Sequence, residues 1–175
     1  MKSAALALLL IPAGVLAQAG HLDEHGAGQL DVVYSDTSLT LSLVAPGSDI
    51  VGLDGPAETD DERALVAIAI SDLSNPLELF ALTDEAGCFT TSSNVTFSGR
   101  GLRTESSNES AADRENHAEF QADYQVQCQD IDAIESIQFI YFDRFPKAEK
   151  LIVHVDGFGH TRSQDITRAA PKLTF

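Results

Sequence analysis

Positive charge is scarce in this chain: lysine and arginine together number 11, against 27 aspartates and glutamates, in 175 residues. So acidic a surface repels nucleic acid and anionic lipid and attracts cations, which excludes polyanion-binding roles. Tryptophan is absent and methionine occurs once. Without aromatic girdles, and with short strands and a capped helix, the pattern is not that of an outer-membrane barrel. Two cysteines exclude a multi-disulfide scaffold, and their spacing excludes a CxxC metal or redox motif. Motifs of catalysis are missing too. There is no G-x-S-x-G elbow, P-loop or H-E-x-x-H, and Gly157-Phe-Gly159 lacks the third glycine of a dinucleotide fingerprint. Asp130-Ile-Asp132 does not continue as a calcium loop. The residues give a non-catalytic reading.

Long apolar runs are confined to the N-terminus. Lys2 precedes the run Ala4 to Leu16, with small residues at Ala17 and Ala19, the layout of a secretory signal peptide over residues 1–19. The run is too short to span a membrane. No later segment approaches that length, so the mature protein is expected to be exported and without membrane insertion. Cleavage removes Lys2 and leaves ten basic residues against 27 acidic, a balance of −17. Roughly 156 to 158 residues remain, enough for one domain or two small packed halves. Export favours oxidation of Cys88 with Cys128, which would close a loop of about 40 residues and stabilise by roughly 3 to 4 kcal/mol.

Apolar residues alternate at Leu30, Val32 and Tyr34, and again at Leu39, Leu41 and Leu43, which predicts a hairpin. Thr59-Asp-Asp-Glu62 has the form of a capping box ahead of Leu65, Ile68 and Leu73. Asn75-Pro76 stops that helix and opens a short second one over 77–82. The acidic cluster Asp60-Asp61-Glu62 reads as first-turn dipole compensation. Residues 88–97 suit a strand. Residues 98–116 hold almost no large apolar side chain and read as a polar linker. Beyond it, Phe120, Ala122, Tyr124 and Val126 alternate with polar residues, residues 137–142 form an apolar strand, and strands around Leu151 to Val155 and 160–175 complete the chain. The fold class is α+β: two similar subdomains of antiparallel sheet with a few helices, over 20–97 and 117–175, related by a pseudo-two-fold axis.

One polar pattern occurs twice. His25-Gly-Ala-Gly-Gln29-Leu-Asp31 is echoed by His117-Ala-Glu-Phe-Gln121-Ala-Asp123. The even offsets put His, Gln and Asp on one face of an extended strand. His117 and Glu119 are then neighbours on that face, and an imidazole and a carboxylate so placed can share one Zn²⁺. With His25 brought to the same cleft, the chain would supply three ligands.

These segments carry a family resemblance. The His25 pattern, Ala45-Pro-x-x-Asp-Ile-Val-Gly52, Ala86-Gly-Cys88, the His117-to-Cys128 strand and Phe142-Asp-Arg-Phe-Pro146 together resemble the ZrgA-type zinc uptake proteins of the Gram-negative periplasm, in the same order along the chain. The resemblance implies two α+β subdomains that bind zinc and assist its import beside a transporter component. It carries His25, His117 and Glu119 over as metal ligands. Where the family has Gly-Phe-Glu-His, this chain has Gly52-Leu-Asp54-Gly55, which leaves Asp54 as a shorter substitute. The His-rich tract of the family corresponds to 98–116, which contains no histidine. Two readings follow: a zinc-binding accessory protein with one modest site, or an envelope protein that keeps the scaffold as an interaction module with little metal affinity.

Overall fold

The structure, a computed structural model, describes residues 27–98, 118–157 and 159–175. The expected leader, His25, His117 and the polar segment beyond Ser98 lie outside the described residues. The predicted hairpin is present: β1 (Gly28–Tyr34) pairs antiparallel with β2 (Ser38–Pro46), and the Ser35 N–H donates to the Ser38 carbonyl at 2.9 Å. A single helical turn, α1 (Gly47–Ile50), follows directly. The capping box also forms. Thr59 accepts from the Glu62 N–H while the Glu62 carboxylate accepts from the Thr59 N–H, opening α2 (Asp60–Leu73), which buries Val66, Ala69 and Leu73.

The next element departs from expectation. The helix opened by Pro76 lasts one turn, α3 (Pro76–Leu79), and yields to strand β3 (Phe80–Leu82). Phe80 is fully buried, and its backbone is satisfied by pairing with a later strand rather than by a second helical turn. Strand β4 (Phe89–Ser98) then pairs with β5 (Glu119–Gln127), where apolar and polar residues alternate as read. A short 3₁₀ turn, Ile131–Ala133, leads to β6 (Ser136–Phe139).

A single strand over 137–142 is also corrected. It ends at Phe139, and α4 (Tyr141–Arg144) turns the chain. Ile140 is exposed while Tyr141 and Phe142 are both buried, which a strand's alternation cannot provide. Strands β7 (Lys150–Gly157), β8 (His160–Thr167) and β9 (Lys172–Thr174) finish the chain.

Two sheets result, one of six strands in the order β4-β5-β2-β1-β7-β8 and one of three in the order β3-β6-β9. The fold is mixed helix and mostly antiparallel sheet, with β1 and β7 parallel. Segments 20–97 and 117–175 do not each close a sheet of their own: both contribute strands to both sheets. One apolar cluster joins Leu30, Leu41, Phe120, Tyr124 and Val153 of the large sheet to Phe80, Phe139 and Leu173 of the small one. Phe80 meets Phe139 edge-on, with ring centroids 5.6 Å apart. Cys88 and Cys128 form the anticipated disulfide just beyond the Phe89 and Gln127 pair, stapling β4 to β5.

Candidate metal centre

Register decides what the repeated pattern means. β1 and β5 both run antiparallel to β2, so they run parallel to each other with β2 between them. Gln29 and Gln121 both stand opposite Val44, and Asp31 and Asp123 both stand opposite Ser42. The two copies are therefore aligned residue for residue across one intervening strand. Their polar side chains face away from the core. The Gln29 amide donates to Asp31 at 3.2 Å, Gln121 donates to Glu119 at 2.7 Å, and the Ser42 hydroxyl donates to Asp123 at 2.8 Å.

The start of β5, the end of β2 and the end of β4 meet at one end of this sheet, where Glu119 stands opposite both Pro46 and Ser98. The chain leaving β2 folds over this end. Val51, Gly52 and Leu53 all donate to the Gly47 carbonyl at 2.9 to 3.2 Å, a tight loop that only a small residue permits at 47. A Cβ on Gly47 would stand 2.6 Å from the Leu53 oxygen and 2.7 Å from the Ala118 Cβ. The loop is bound to β5 on both sides of Ala118: the Gly47 N–H donates to the Ala118 carbonyl at 2.6 Å, and the Ala118 N–H donates to the Asp54 carbonyl at 3.1 Å.

Asp54 and Glu119 are thus brought to one neighbourhood from positions 65 residues apart in sequence. The Asp54 side chain is exposed and the Glu119 side chain half-exposed. Among the described residues, no group of three or more His, Cys, Asp or Glu side chains is arranged to hold a metal ion. His154 lies half-exposed on the solvent side of β7, in register with Asp31.

Asp49 was not singled out from the sequence as a site residue. It is the one charged side chain buried among the described residues, and its Oδ2 finds no hydrogen-bond partner there. Burial pushes its pKa up to about 6, the nearby charge of Glu149 adds to the rise, and a hydrogen bond from Ser48 opposes it. Its signal was the motif Ala45-Pro-x-x-Asp-Ile-Val-Gly52, which marks the position without revealing the burial.

A family model described as ZrgA family zinc uptake protein matches residues 23–175. The chain belongs to the ZrgA family. The matched span contains His25, Asp54, His117 and Glu119 as well as both cysteines. No individually curated protein matches this ZrgA-family chain. Membership connects the chain with zinc uptake, in which zinc is cargo rather than a resident cofactor. Among the described residues, no helix is long and apolar enough to cross a membrane.

Proposed function

We propose that this protein is a non-catalytic, periplasmic zinc-binding accessory of zinc uptake, with His25, His117 and Glu119 as ligands and Asp54 or water completing the shell. The observation that carries the reading is the alignment of the two copies about β2. Gln29 and Gln121 stand in register on either side of β2, and in the sequence His25 and His117 each precede their glutamine by four residues. Alternate strands of a sheet lie about 9 to 10 Å apart, a gap that two histidine side chains can close around one ion. The tie between Ala118 and Asp54 supports the fourth position, because it holds residue 54 one residue from Glu119. On this reading the internal repeat is a repeat of strands, β1 and β5, and the pseudo-symmetry resides in the pair that flanks β2.

Absence of histidine from 98–116 favours the rival, a scaffold kept for protein contacts with little metal affinity. Calorimetric titration of chelator-stripped protein with Zn²⁺ separates the two. One ion per chain at micromolar affinity or tighter is expected, and His117→Ala weakens it by at least about tenfold. Affinity falls as pH drops below about 6.5, where free imidazoles take up protons. No binding tighter than millimolar gives the rival the field.

A further inference from the structure

A cavity of about 550 Å³ lies between the two sheets, at the β8 edge of the large one. Val155 and Arg162 enter it from the large sheet, where they stand opposite each other on β7 and β8. Asp132, Ile134 and Glu135, in the turn that leads into β6, line it from the other side together with the end of β9. This place is remote from the candidate metal centre. Val155 stands beside Val32 on β1, whereas Glu119 stands opposite Pro46 toward the other end of the strands.

Its charges are held apart. Arg162 is fixed in position: Nη2 donates to the Thr174 carbonyl at 2.5 Å, and the guanidinium lies over the Phe175 ring, 5.3 Å from its centroid. Neither partner is anionic, so the guanidinium keeps its full charge. Its Nε is buried without a hydrogen-bond partner, and among the described residues Arg162 forms no ion pair. Asp132 and Glu135 border the same cavity with exposed side chains, and neither forms an ion pair there. In a chain with 27 acidic residues and 11 basic ones, an arginine left uncompensated beside two carboxylates is an exception. Between the charges the surface is apolar: Ile134 and Val155 are buried, and the Phe175 ring is partly exposed.

We propose that this cavity binds a small zwitterion with an apolar body, a free α-amino acid or a short peptide. Arg162 takes the carboxylate, Asp132 and Glu135 take the ammonium group, and Ile134, Val155 and Phe175 take the hydrocarbon between them. Charge selects this class. A simple anion is opposed by the two carboxylates, a simple cation by the guanidinium, and a neutral apolar molecule leaves all three unpaired. A zwitterion meets each with its opposite, and its carboxylate gains a charge-assisted hydrogen bond from a guanidinium already held in place. The volume falls within the roughly 300 to 1,000 Å³ of small-molecule sites.

Calorimetric titration of the full chain without zinc tests this, using leucine, dileucine and trileucine as probes. At least one is expected to bind once per chain, with a dissociation constant on the order of 0.1 mM. Binding of leucine alone assigns the site to free amino acids, and binding of the peptides assigns it to peptides. Acetylating the amine or amidating the carboxyl of the bound probe should each weaken it at least about tenfold. The double variant Asp132→Asn with Glu135→Gln changes two exposed residues, so its melting temperature should stay within about 3 °C of the parent. It should bind the free and the acetylated probe with equal weakness. Arg162→Gln should likewise cease to distinguish the free probe from the amidated one. Failure of all three probes to bind at about 10 mM overturns the proposal. So does binding that blocked termini and the double variant leave unchanged, which would make the cavity a merely apolar one.

Discussion

At the scale of single residues, Asp49 carries the clearest consequence. Its carboxyl titrates near 6 in the folded chain against an ordinary 3.8, so between those values the folded state holds a proton the unfolded chain has released. Stability therefore falls as pH rises through that window and stays reduced above it. Asp49→Asn should match the parent near pH 3.5 and exceed it by about 1 kcal/mol at pH 7, once screening by nearby solvent is allowed for. Denaturant midpoints measured against pH would establish this, and a variant less stable than the parent at pH 7 would refute it. Sequence marked the position through its motif. It could not reveal that the one-turn helix would bury the carboxyl, because that depends on what packs against it.

Elements were legible where their signals are local. The β1–β2 hairpin, the capping box of α2 and the alternation of β5 each rest on residues within a few positions, and each is present. Failures fell where a short apolar run had to choose a state. Residues 80–82 and 140–142 were decided by which side chains reached the core, and a run without periodicity does not carry that information.

The loop after β2 is the element on which the candidate site leans. Gly47→Ala pushes a methyl against both the Leu53 carbonyl and Ala118, and is expected to cost about 1 to 3 kcal/mol as the loop lifts from β5. If Asp54 helps to hold zinc, the same change weakens zinc binding beyond what the lost stability explains. Titration at a temperature where the variant remains fully folded separates the two effects.

For the molecule as a whole, the pairing of distant strands was the part sequence reading could not supply. The repeat suggested two bodies. In the structure the strands on either side of the intervening segment share both sheets, because β5 pairs with β2 and β4 and thereby enters the first segment's sheet. The disulfide fits this arrangement, tying β4 to β5 across a sequence separation of 40. Its reduction should lower stability by about 3 to 4 kcal/mol and raise the denaturant slope, because the uncrosslinked chain exposes more surface on unfolding, read from urea unfolding with and without reductant.

β2 stands between the two copies of the pattern, and that placement governs when the proposed site can exist. The first copy is born with its hairpin, but the second arrives only when a strand about eighty residues downstream docks, as the contact of Ser42 with Asp123 across 81 positions records. Such distant pairings close late during folding. A cargo that needs both copies would be refused by every half-made chain, so loading itself would certify that the carrier is finished.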